Sequence, residues 1–205
     1  MKTLILVDIQ NDFCPGGALP VPNGDKVVDV VNSIIDKFDD VVCTMDWHPD
    51  DHVSFALTHD AEVGTVIELD DGTPQMLWPV HCVEDSDGAQ IHSGIKLPRN
   101  MTIPFTKGEN PSVDSYSGFF DNGCKSTTEL NEYLDDDSEL YICGLATDYC
   151  VKFTALDAVE LGYTTYLIID ACRAVDLPEG NEALAIQEMI DAGVKIITSS
   201  EIPNG

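Results

Sequence analysis

Positive charge is what this chain has least of: Lys and Arg together number 10, against 37 Asp and Glu, for a formal net charge of −27 over 205 residues. Nucleic acid and anionic membrane surfaces are polyanions, so both are disfavoured as partners. The acids are spread along the chain, with one tight run at Asp135, Asp136 and Asp137, which describes a solvated surface and not an acidic tail. Asp outnumbers Glu by about two to one and Lys is scarce, a pattern that suits salty surroundings. Long apolar runs are missing too. No segment approaches the roughly 20 residues needed to cross a bilayer, and no basic start with an apolar run marks a leader, so a cytoplasmic protein is expected. CxxC pairs are also absent. The seven cysteines, Cys14, Cys43, Cys82, Cys124, Cys143, Cys150 and Cys172, suit neither a disulfide framework nor a thiolate zinc ribbon. Cys43, Cys143 and Cys172 lie in or beside apolar runs and read as small core residues.

What is present is an alternation of short apolar runs and helical stripes. Strands are expected at Thr3–Val7, Val41–Cys43, Met101–Phe105, Leu140–Cys143, Thr164–Ile169 and Val194–Thr198. Between them, helices are expected at Asp25–Phe38, Ser126–Leu134 (begun by a capping Ser or Thr), Asp148–Leu161 and Glu179–Ala192. The order predicts one α/β domain over residues 1–205, a three-layer α/β/α arrangement with a mostly parallel six-stranded sheet. From Asp46 to about Asn100 the pattern is irregular and rich in Asp, Gly, Pro and His. A loop that long inside a compact domain is expected to carry function.

Sites in such sheets form beyond the carboxyl ends of the strands. Four of those ends carry reactive residues: Asp8 after the first strand, Asp46-Trp47-His48-Pro49 after the second, Lys107 after the third, and Gly144-Leu145-Ala146-Thr147-Asp148-Tyr149-Cys150 after the fourth. Cys150 is the candidate nucleophile, since the first turn of a helix from Asp148 and a nearby Lys107 would both favour a thiolate. Asp8 could take its proton and pass it to a leaving amine. Taken alone, Asp8 reads better as a cap and Lys107 better as a surface charge. Asp46 and His48, two apart in an extended segment, point the same way. A further His completes a two-His, one-carboxylate set suited to Zn, Fe or Mn. His81 is the better third ligand, and His52 is near enough to join the set or support it from outside. His59 and His92 read as surface residues.

These motifs resemble the isochorismatase-like cysteine hydrolase family along essentially the whole chain. Carrying the resemblance are Val7-Asp8-Ile9-Gln10-Asn11-Asp12-Phe13, Asp46-Trp47-His48-Pro49 with His52-Val53-Ser54-Phe55, Trp78-Pro79-Val80-His81-Cys82, Lys107-Gly108 and Gly144–Val151. The two metal-type segments together resemble the nicotinamidase branch. The resemblance implies a triad of Asp8, Lys107 and Cys150, and one divalent metal on Asp46, His48 and His81, with Zn as first choice and Fe or Mn as alternatives. It further implies a cis peptide between Leu145 and Ala146, an oxyanion hole from the Ala146 and Cys150 N–H groups, and a substrate site with Phe13, Trp78, Tyr116 and Leu145. The implied reaction is hydrolysis of nicotinamide through a cysteine thioester, with the pyridine nitrogen on the metal, in NAD salvage. The expected partner is this small molecule, with self-association as a further option. The alternatives are a related amidohydrolase acting on a carbamoyl or ureido amide, a vinyl-ether hydrolase, and a non-catalytic metal or thiol-redox module. The redox reading lacks a second cysteine beside Cys150.

Overall fold

The computed structural model describes residues 1–98 and 104–203. Its elements follow from where apolar residues cluster. Strand β1 (Lys2–Val7) is buried from Thr3 onward on both faces. Each fully buried Leu or Ile in it contributes roughly 1.5–3 kcal/mol relative to exposure. Helix α1 (Lys26–Ile34) buries Val27, Val28, Val31 and Ile34 and ends in a tighter turn over Ile35–Lys37. Strand β2 (Asp40–Asp46) follows, longer than the Val41–Cys43 expected. It continues through Thr44, Met45 and Asp46, where the polar Thr44 and Asp46 masked the strand in the sequence.

The irregular region contains one hairpin, β3 (Val66–Glu68) with β4 (Pro74–Met76). Next come β5 (Phe105–Lys107), α2 (Leu130–Tyr133), β6 (Glu139–Leu145), α3 (Lys152–Glu160), β7 (Thr164–Arg173), α4 (Asn181–Ala192) and β8 (Lys195–Ile197). The main sheet has the order β5-β2-β1-β6-β7-β8, and each of its pairings is parallel. Parallel strands need crossovers, and α1, α3 and α4 supply them, giving the α/β/α layering expected. Among the described residues no helix is long and apolar enough to cross a membrane.

Besides shifted bounds at β2, α1 and β7, three expected elements differ in kind or extent. The strand expected at Met101–Phe105 begins at Phe105; residues 101–103 of it lie outside the described residues. The helix expected over Ser126–Leu134 is a single turn from Leu130, because Thr127 bridges Phe120 and the Thr128 N–H donates to the Phe119 carbonyl, which keeps that segment extended. The expected capping Ser or Thr is not found: Glu129 stands at the cap position and its side chain makes no capping bond, while Thr128, one residue earlier, accepts the Leu130 N–H on Oγ1 at 3.1 Å. Finally, the helix expected from Asp148 opens with a wide π-type turn over Thr147–Val151, interrupted at Tyr149 (φ −127°, ψ −105°), and becomes regular only at Lys152. Its cause is Asp148, whose buried carboxylate turns away to accept the N–H groups of Val175 and Asp176 and the Asn181 side-chain amide.

Candidate active site

Four adjacent strands, β5, β2, β1 and β6, deliver Lys107, Asp46, Asp8 and the Cys150 turn to one edge of the sheet. Gly144 makes the close approach possible. Its φ is +131°, and a Cβ there would meet the Val7 carbonyl oxygen at 2.0 Å. Asp8 leaves β1 with φ +47°, which swings its side chain across the strand ends.

There the Lys107 ammonium sits among four acceptors. Asp8 Oδ2 is 3.0 Å away, the Ser115 carbonyl 2.8 Å and Cys150 Sγ 3.4 Å, and Asp46 Oδ1 is also in contact. Asp8 Oδ1 accepts the Thr44 hydroxyl at 2.7 Å. One oxygen each of Asp8 and Asp46 and the sulfur of Cys150 all lie within 4.8 Å of one another. All of these groups are buried. Burial lowers the affinity of Lys107 for its proton, but Asp46 and Asp8 outweigh it and keep the ammonium charged. Burial pushes the Asp8 carboxyl up, against the pull of Lys107. Burial likewise raises the Cys150 thiol, and Lys107 only partly offsets this. A thiolate is expected from a regular helix start; the turn here is wide instead, so burial works against the thiolate and Lys107 works for it.

The second cluster adjoins the first. Ligand atoms of Asp46, His48 and His81 lie within 4.8 Å of one another. His48 Nδ1–H donates to the Gly108 carbonyl at 2.8 Å, and His81 Nδ1–H donates to that of Pro79 at 2.8 Å. Each ring thereby turns Nε2 toward Asp46 Oδ2, at 3.6 and 3.8 Å. Gly108 is needed for this, because its φ is +68° and a Cβ would come within 2.4 Å of the His48 ring. Burial pushes the Asp46 carboxyl up, but Lys107, His48 and His81 prevail and hold it well below the usual carboxylate range. Burial, with the charge of His48, lowers His81 to about 4, leaving a neutral imidazole able to bind a cation. Two Nε2 atoms and a carboxylate converging in a dry site, each imidazole oriented by a carbonyl, fit a divalent metal.

His52 stands outside this set. Its ring stacks on His48 (4.1 Å between centroids), its Nδ1 pairs with Ser54 Oγ at 2.8 Å, and it forms a separate group with His48 and Asp114. Phe13, Trp78 and Tyr116 line one cavity with Asp46, His81, Ala146 and Cys150. Trp78 Nε1–H donates to the Tyr116 hydroxyl at 3.2 Å. The Leu145–Ala146 peptide is cis. Leu145 itself is not among the cavity-lining residues; its side chain is buried in the core. His59 and His92 are half-buried instead of exposed, and His59 Nε2 pairs with the Val53 carbonyl at 2.8 Å. Sequence reasoning missed Asp114, Tyr149 and Val175 in the cavity wall and Thr44 on Asp8. Thr44, at even spacing from Asp46 in a strand, could have been found; Val175 follows β7 and carries no pattern. A larger groove, about 610 Å³, runs along β5 and includes neither Asp8, Cys150 nor the metal-type triad.

An isochorismatase domain matches residues 2–201. A nicotinamidase of Escherichia coli (strain K12) is 49% identical over 206 aligned positions, covering 98% of this chain and 96% of its own. A solved nicotinamidase/pyrazinamidase of Acinetobacter baumannii superposes with a TM-score of 0.93 at 40% identity, covering 98% of each chain. A pyrazinamidase of Pyrococcus horikoshii, solved in complex with zinc, does so with a TM-score of 0.78 at 37% identity over 96% of this chain and 98% of its own. With a domain match and relatives that span the same length, the chain belongs to the isochorismatase family of cysteine hydrolases.

Proposed function

We propose that this protein is a metal-assisted cysteine amidohydrolase that converts nicotinamide to nicotinate and ammonia, in NAD salvage in the cytoplasm. One observation carries the reading: an acid, an ammonium and a thiol converge at one edge of an aromatic cavity whose other side is a two-His, one-carboxylate set. The E. coli and A. baumannii relatives, both nicotinamidases by name, support the substrate. Phe13, Trp78 and Tyr116 offer faces for a flat ring. A divalent ion on Asp46, His48 and His81, with zinc as first choice and iron or manganese as alternatives, supplies a Lewis acid that can anchor a pyridine nitrogen.

The chain's own groups carry the chemistry. As the Cys150 sulfur bonds to the amide carbon, its proton passes to Asp8. A carboxyl raised by burial is a stronger base than an ordinary one, which suits a thiol that starts neutral. Negative charge that develops on the amide oxygen is met by the N–H groups of Ala146 and Cys150. Asp8 returns the proton to the nitrogen as the C–N bond breaks, ammonia leaves, and a thioester remains. A water then gives one proton to Asp8 and attacks the thioester carbon; the C–S bond breaks, the sulfur recovers the proton from Asp8, and the acid released loses its own proton to solvent as nicotinate. Lys107 remains charged throughout and keeps Asp8 and Asp46 from repelling one another.

Ammonia release from nicotinamide, before and after chelation, tests the reading. Activity is expected to vanish with the metal and to return with Zn, Mn or Fe. No ammonia from metal-loaded protein would overturn nicotinamide as substrate.

A further inference from the structure

The segment that follows Asp8 is bound to the metal-type triad by two side chains with no part in the chemistry above. The β1–β2 ladder ends with Val7 opposite Thr44, where Asp8 turns the chain away. Beyond that point the fully buried Gln10 side chain takes over the pairing. Its Oε1 accepts the Asp46 N–H at 2.9 Å, and its Nε2 donates to the Asp46 and Ala89 carbonyls at 2.8 Å each. On the other flank, the Trp47 N–H donates to the Lys107 carbonyl at 2.9 Å. The backbone of Asp46 is thus held from both sides, once by a strand and once by an amide that imitates one.

Asp12 performs the matching task for the two imidazoles. Its Oδ2 accepts the Cys82 N–H at 2.8 Å and its Oδ1 the Ala18 N–H at 3.0 Å. Cys82 directly follows His81, sits at φ +46°, and its carbonyl accepts the His48 N–H at 3.0 Å. One residue, Cys82, therefore joins both imidazole-bearing segments: Asp12 holds its N–H, and its carbonyl holds the His48 N–H. Space around Asp12 has been kept clear for this. A Cβ on Gly88 would lie 2.2 Å from Asp12 Oδ2, and one on Gly17 would lie 2.4 Å from the Asp12 backbone.

We propose that Gln10 and Asp12 are positioning residues for the metal site: Gln10 sets Asp46, and Asp12, through Cys82, sets His81 and His48. Metal geometry is thereby tied to the segment that carries the base, Asp8. The inference rests on the metal reading given under Proposed function.

The test is zinc affinity of the full chain, stripped by chelator and titrated with Zn²⁺ against a chromophoric competitor. Gln10→Met keeps the volume and loses the amide; Asp12→Asn keeps the shape but sets an N–H donor against a backbone N–H. Each is expected to weaken zinc binding roughly 10- to 100-fold, with turnover recovering at excess Zn²⁺. Asn32→Ala is the control. It removes an equivalent clamp, from Asn32 Nδ2 to the Gly94 carbonyl and from the Lys96 N–H to Asn32 Oδ1, away from the metal site. It is expected to lower the melting temperature and leave zinc affinity unchanged. Wild-type affinity in either Gln10→Met or Asp12→Asn, or an equal loss in Asn32→Ala, overturns the proposal. A second measurement needs no variant. Coupling is reciprocal, so Zn²⁺ must slow hydrogen exchange at the Asp46 and Cys82 amides more than at the Lys96 amide; equal slowing overturns it. A wild-type protein that binds no zinc would instead sink the underlying metal reading.

Discussion

Cys143 and Cys150 lie seven residues apart in one strand–turn–helix unit, and both are buried, yet their surroundings have little in common. Cys143 lies within β6, opposite Leu6 of β1, with Cys43 on the far side of that leucine. Cys150 lies past the end of the same strand, 3.4 Å from the Lys107 ammonium and within reach of two carboxylates. Burial raises both thiols. Acidity therefore does not separate the cysteine inside the strand from the one past its end. Partners do: only Cys150 faces a base that can take its proton and a cation that tolerates the charge. The middle of the sheet stabilises the fold, while its carboxyl edge gathers buried charges that need each other.

Substitutions at the two cysteines give the largest contrast. Cys150→Ala is expected to abolish ammonia release while zinc titration still shows a bound metal; substantial turnover would break the covalent route. Cys143→Ala is expected to keep turnover and lose about 1–2 kcal/mol of stability in denaturant unfolding. Next in size is Lys107→Met, which leaves Asp8 and Asp46 facing each other without a cation. Removing one partner from a buried ionic group costs about 3–5 kcal/mol, so both the melting temperature and turnover should fall. An unchanged melting temperature would show that the cation is not needed there. Asp8→Asn keeps the shape and removes the base, and is expected to lower kcat by about 10²- to 10⁴-fold with a melting temperature close to wild type. If kcat survives, another group accepts the thiol proton. Smallest is the effect of salt on the acidic surface. With a net charge of −27, screening of self-repulsion should raise the melting temperature from low to molar salt; no change would detach the surface composition from salty surroundings.

The same contrast explains what the sequence made legible. Apolar runs such as Thr3–Val7 and Leu140–Cys143 announced the parallel sheet, and the residues just past them announced the site, because strand ends are where side chains escape the core. Asp46, His48 and His81 were readable from residue type and spacing, since few other side chains bind a cation in that pattern. Elements shaped by long-range hydrogen bonds were not readable. The wide turn at Tyr149 depends on Asp148 reaching Val175, 27 residues away, and the short α2 depends on Thr128 pairing with Phe119. Local propensity favours helix in both places, and tertiary contacts override it. Asp114 escaped notice for a related reason: its carboxylate is turned into the cavity wall by Gln75 of the β3–β4 hairpin, at 2.9 Å, a contact no spacing foretells.

The most direct test of the account is to quench the metal-loaded enzyme in acid during nicotinamide turnover and map the acyl group by peptide mass spectrometry. A nicotinoyl thioester on Cys150, with Cys143 and the other cysteines unmodified, is the expected result. A nicotinoyl group recovered on any other side chain would contradict it.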